Sequence, residues 1–238
     1  MEELLENFKQ KLLEAAQNNL KAVVLYGSAA AGEYHKDHSD LNILCIVERV
    51  GAADLEALHV PVAWWRRKGY ASPQVFTMAE LHASADIFAI ELLDMKARHR
   101  MIYGEDFFDA LKVPMQLHKH QVERELRTNS IRLRQGILAI PPRDRVVVGL
   151  MDASISAFVI LFRHALVALG ESAPDTRREV IERIAQLFGA SPDAFLAILD
   201  VREGKRKSSD LDASETLKGF VALVERVTDE VDRRLAGN

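Results

Sequence analysis

The sequence has a single cysteine, Cys45, so no disulfide can form within the chain. Its stability must come from a packed core, and a reducing, cytoplasmic setting is the expectation. Basic and acidic residues nearly balance, for a net charge of -4. No whole-molecule field therefore draws the chain onto nucleic acid or a lipid surface. The start, Met1-Glu2-Glu3-Leu4-Leu5-Glu6, is acidic and lacks the basic-then-apolar pattern of a secretory leader. The longest apolar stretch, Val146 to Leu169, is interrupted by Asp152, Arg163 and His164. A buried helix is expected there rather than a membrane span. No internal repeat, low-complexity tract, HExxH, CxxC or Walker-type lysine motif occurs.

What is present describes an ordinary globular protein, with 48% hydrophobic and 28% charged residues. Its 238 residues suffice for one large domain or two small ones. The chain separates into two halves by periodicity. Leu4, Leu5, Phe8, Leu12, Leu13, Ala16 and Leu20 recur at three- and four-residue steps and predict an amphipathic helix. Ala22 to Tyr26 is a short β-branched run ended by Gly27, and reads as a buried strand. Leu41 to Val47 is a second strand, apolar on nearly every residue and so central in its sheet. Asp54 to Lys68 is predicted helical despite Pro61, Gln74 to Met78 is a third strand, and Ile87 to Leu93 reads as strand or helix start. Beyond Pro114 the pattern is helical: helices are expected over Met115–Ile140, Val146–Leu169, Thr176–Phe188, from Ser191-Pro192-Asp193 (a capping hydroxyl and a first-turn proline) toward Gly204, and over Leu217–Leu235. Five helices with short connections suggest an antiparallel bundle, with the domain division set at residues 1–112 and 113–238.

The chemistry concentrates in Tyr26-Gly27-Ser28-Ala29-Ala30-Ala31-Gly32 and, seven residues later, Ser39-Asp40-Leu41-Asn42. Glycine at a strand end lets the backbone approach a phosphate. A helix starting after it would offer free N–H groups to the same phosphate. An acid opening the next strand, Asp40, suits a divalent cation that bridges phosphate oxygens. An isolated Gly-Ser is most often only a tight turn; the ordered set of strand, Gly-Ser, second glycine, Ser-Asp and strand is more specific.

That order resembles the DNA polymerase beta-type nucleotidyltransferase superfamily, notably its small prokaryotic and kanamycin nucleotidyltransferase-like branch. Eleven residues separate Ser28 from Asp40, which fits the spacing between Gly-Ser and the acidic pair. The resemblance is carried mainly by Ala22 to Val47. It implies an α/β (α+β) domain with a mixed sheet, followed by an all-α helical bundle that closes a nucleotide cleft or mediates a homodimer. It also implies a nucleoside triphosphate ligand, magnesium or manganese, and transfer of a nucleoside monophosphate to an acceptor hydroxyl. By the same resemblance Gly27, Ser28 and Ser39 would hold phosphates, Asp40 would ligate metal, and Asp40 with Asn42 would form the catalytic pair.

The sequence departs from that pattern where the chemistry needs charge. Residues at i and i+2 share a strand face, so position 42 belongs beside Asp40, but it is an asparagine. The third strand brings no acid; Glu80, Glu91 and Asp94 are the nearest substitutes, and each is more readily a helix-surface acid. Ala31 stands where many relatives place an arginine before the second glycine. Two readings follow: an atypical enzyme, or a degenerate homologue serving as a nucleotide-binding or protein-interaction module.

Other groupings carry weaker signals. His35 and His38 have metal-ligand spacing in a polar loop, though such loops are usually solvated. Residues 112–145 hold eight Lys or Arg against three Asp or Glu. Arg124, Arg127, Arg132 and Arg134 there could track a nucleic-acid backbone, but a face paired with acids elsewhere is favoured. Trp64-Trp65 beside Arg66-Arg67-Lys68 could stack a base, with helix packing the more ordinary role.

Overall fold

The computed structural model describes residues 1–27, 29–30 and 41–235. The chain divides into two compact units, Met1–Pro114 and Met115–Asn238.

In the first unit, α1 (Glu2–Ala16) buries Leu5, Phe8 and Leu12, the stripe its spacing requires. The chain then enters β1 (Leu20–Tyr26), which pairs antiparallel with β2 (Asn42–Val47). β3 (Gln74–Thr77) lies parallel to β2, and β4 (His99–Tyr103) lies antiparallel on the other side of β1. The sheet is therefore mixed, in the order β3-β2-β1-β4, and β1 and β2 are central. Central strands are covered on both faces, which is why their sequences are apolar without alternation. On one face Val23, Leu25, Ile43, Cys45 and Val47 pack with α1 and with Trp65. On the other, Ala22, Val24, Leu44 and Ile46 pack with Leu81, Leu92, Met95, Phe108 and Leu111.

Several boundaries differ from expectation for local reasons. The predicted Asp54–Lys68 helix is two, α2 (Ala52–Ala57) and α3 (His59–Arg67), and Pro61 falls in the first turn of α3, where no N–H is required. Met78 opens α4 (Met78–Ala83) rather than closing β3, because Thr77 and Glu80 form a reciprocal capping box at that point. The ambiguous Ile87–Leu93 segment resolves as the start of α5 (Ala89–Ala97).

The second unit consists of α6 (Met115–Ala139), α7 (Asp144–Ala168), α8 (Arg177–Phe188), α9 (Asp193–Arg202) and α10 (Ala213–Leu235). By length and composition α7 could cross a membrane. Here it contacts α6, α8, α9 and α10 and forms the centre of the bundle. Phe158, Phe162, Phe195 and Phe220 meet in its core, with the rings of Phe195 and Phe220 stacked at 4.0 Å. Thr176 caps α8 through the N–H of Glu179, and Gly189 ends it in the left-handed conformation.

Candidate functional site

Three strands place one row of residues at one end of the sheet. In the β1–β2 register Tyr26 lies opposite Asn42, and in the β1–β4 register Tyr26 lies opposite His99. Gly27 follows β1 with φ +82, a conformation glycine adopts without steric cost. A Cβ built there would stand 3.3 Å from Nδ2 of Asn42, so the missing side chain leaves the amide its space. The Gly27 N–H donates to the Arg98 carbonyl at 3.0 Å, and the Gly27 carbonyl accepts from Ala30 N–H. Gly27 therefore offers a ligand room rather than its N–H. Ala29 and Ala30 form a turn. Ser28, Ala31, His35, His38, Ser39 and Asp40 lie outside the described residues.

Register fixes which side chains share the Asn42 face. Leu44, two residues beyond Asn42, pairs with Gln74 across the parallel β2–β3 ladder. Asn42, Leu44, Gln74 and Phe76 thus point to one side. Leu44 and Phe76 pack on the face that also receives Tyr26. Gln74 is exposed and Asn42 is half-buried.

Of the substitute acids, Glu80 is committed to capping α4, with its carboxylate accepting from Thr77 N–H at 2.8 Å and Thr77 Oγ1 at 3.0 Å. Glu91, in the first turn of α5, acts on Tyr26: burial raises the phenol's pKa, and the Glu91 charge raises it further. Glu91 is therefore an acid whose field reaches this row. Asp94, one turn further along α5, is half-buried.

His99 is held from both sides. Its Nε2 meets Asp106 Oδ2 at 2.8 Å, its Nδ1 meets the Lys96 carbonyl at 3.1 Å, and its ring packs on Phe108. The His99 hydrogen bond, helped by the N–H of Phe108, holds the Asp106 carboxyl below its ordinary value. This arrangement anchors β4 against the segment that follows it.

A two-ion magnesium site needs carboxylates converging on one face. Asn42 and Gln74 bring amides instead, and among the described residues no three of His, Cys, Asp and Glu are grouped to hold a metal. The described residues do not fit such a site.

The remaining groupings are structural. Trp65 is fully buried, stacked on Phe8 at 4.3 Å, and donates to the Ala71 carbonyl. Trp64 lies beneath Lys11 and Lys68. Arg127 pairs with Asp229 and Asp232, and Arg134 pairs with Glu225, all on α10. Arg124 pairs with Glu125. Much of the basic face of α6 thus ties the bundle together. His118 is buried and bonded to His164. Cys45 is a core residue, and burial pushes its thiol up to about 12.

Gly27 and Asn42 are legible in the sequence and Tyr26 opens the same motif, whereas Gln74, in a strand notable there only for lacking an acid, is brought to the Asn42 face by strand register alone.

Residues 1–107 match the family model of the nucleotidyltransferase domain. No curated protein matches the sequence. Among solved structures, a spectinomycin adenyltransferase from Enterococcus faecialis, determined with ATP and spectinomycin, superposes with a TM-score of 0.55 at 14% identity. The match covers 93% of this chain and 98% of that one. A toxin–antitoxin structure with AMP-PNP matches at a TM-score of 0.31 and 19% identity over 44% of this chain and 78% of that one, too slight a likeness to carry an argument. The first 107 residues are thus similar to the nucleotidyltransferase domain family, and the chain is similar in fold to a spectinomycin adenyltransferase.

Proposed function

We propose that the N-terminal unit binds a nucleoside triphosphate at the sheet end marked by Gly27 and Asn42, and that it transfers the nucleotide slowly or not at all. The observation that carries this reading is the pairing of a glycine turn with neutral amides. Gly27 leaves room beside Asn42, while Asn42 and Gln74 stand where charge would be needed for a two-ion clamp. The family match supports a nucleotide ligand. So does the ATP bound by the structurally similar adenyltransferase. Ser28, Ser39 and Asp40 complete the proposed site on sequence grounds, with Asp40 the one remaining acid of the motif.

The second reading is nucleotidyl transfer to an acceptor hydroxyl, which the Glu91 carboxylate near Tyr26 favours. Calorimetric titration with ATP, GTP, CTP and UTP, alongside a pyrophosphate-release assay, separates the two. Binding without pyrophosphate is the expected result. Sustained pyrophosphate release would establish the enzyme, and failure of all four nucleotides to bind would leave only an interaction module.

A further inference from the structure

We infer that the side-chain amides of Asn42 and Gln74 hold the nucleotide's phosphates directly, without a bridging metal ion. This rests on the nucleotide-binding reading and concerns the same site. The two residues occupy one face of neighbouring parallel strands, with Gln74 level with Leu44 and Asn42 two residues before it. Strand spacing puts their Cα atoms roughly 8 Å apart, a span that adjacent phosphates of one polyphosphate can bridge. Gln74 is exposed and Asn42 half-buried, and among the described residues neither amide is occupied by a side-chain hydrogen bond.

The chemistry of the two functional groups decides the mode of binding. A carboxylate only accepts hydrogen bonds, so it meets a phosphate through a cation. A carboxamide carries two N–H donors and meets a phosphate oxygen directly, as asparagine and glutamine do on nucleic-acid backbones. Substituting amides at both positions exchanges metal ligands for phosphate donors. The absence of a side chain at Gly27 leaves the Asn42 amide room to turn toward a ligand. Glu91 gives the idea its sharpest consequence, because its charge reaches the adjacent Tyr26. A phosphate without a metal is repelled by that carboxylate, whereas a metal-bridged phosphate is helped by it.

The test is calorimetric titration of ATP into the full chain, once with excess EDTA and once with magnesium. Wild-type binding is expected to persist in excess EDTA, since no bridging ion is lost. Glu91→Gln should tighten binding in EDTA by about fivefold, the scale of one contact with a solvent-exposed charge. The double variant Asn42→Asp with Gln74→Glu should lose at least about tenfold in EDTA and recover with magnesium, once carboxylates replace the donors. Wild-type binding that disappears in EDTA, or a Glu91→Gln chain that binds more weakly there, overturns the inference while leaving the nucleotide reading intact. No binding in either buffer removes both. Should the double variant fail to fold by circular dichroism, the wild-type and Glu91→Gln titrations still decide the matter.

Discussion

Gly27 and Gly104 both adopt positive φ, at +82 and +84, but their surroundings differ. Among the described residues, a Cβ added at Gly27 would meet only the Asn42 amide at 3.3 Å, the end of a side chain that can turn aside. At Gly104 it would stand 2.3 Å from the Lys21 carbonyl and 3.0 Å from the Ala22 Cα, backbone atoms of β1 that cannot yield. Gly27→Ala should therefore cost about 1–2 kcal/mol, the left-handed penalty alone. Gly104→Ala should cost more, and thermal melts of the two variants compare them directly; equal melting temperatures would contradict the packing described. Asp106 supplies a pH dependence. Its folded pKa is depressed below the ordinary 3.8 by the His99 hydrogen bond, so its stabilisation is complete above the unfolded value and lost as pH falls through the folded one. Asp106→Asn should flatten the acid limb of the stability curve by less than about 1 kcal/mol, because the carboxylate is half-exposed. Acid denaturation midpoints measure this, and an unchanged acid limb would show the pair to be inert. At this scale Gly27 was legible, since a glycine ending a β-branched run announces a turn. The crowding at Gly104 was not legible, because the backbone that crowds it lies about eighty residues earlier in the chain.

Among the elements, apolar contacts and ion pairs contribute on different scales. Phe8 joins α1 to α3 through Trp65 and is fully buried. Phe8→Ala should destabilise the first unit by about 3–5 kcal/mol. Arg127 joins α6 to α10 through half-exposed contacts with Asp229 and Asp232, so Arg127→Ala should cost less than about 1 kcal/mol. Urea unfolding of both variants separates the two scales, and a larger loss for Arg127 would mean that the bundle is held by charge rather than packing. Most helices of the second unit were readable from periodicity and punctuation: Gly189 ends α8, and Ser191 Oγ accepts the Asp193 N–H and donates to the Asp193 carboxylate at the start of α9. β4 was not readable. His99 and Arg100 open it, and its strand character comes from pairing with β1 rather than from an alternating pattern. The basic face of α6 was visible in the sequence, but its acids belong to α10, about a hundred residues away.

For the whole molecule, composition bounds the answer and the site narrows it. A nearly balanced charge and a single buried cysteine leave stability to two packed cores, one around a four-stranded mixed sheet and one around α7. The resemblance of the first unit to nucleotidyltransferases was legible because Gly-Ser and the acid that follows sit at fixed spacing between two strands. The amide character of its far side was not, because Asn42 and Gln74 lie thirty-two positions apart and only strand register brings them to one face. The central claim is that this face receives a polyphosphate. A crystal structure of the full chain with a non-hydrolysable triphosphate analogue and manganese tests it most directly. Phosphate density is expected against the Asn42 and Gln74 amides, with no manganese bridging them. Phosphates bound elsewhere on the chain, or a manganese ion seated between those two side chains, would contradict it.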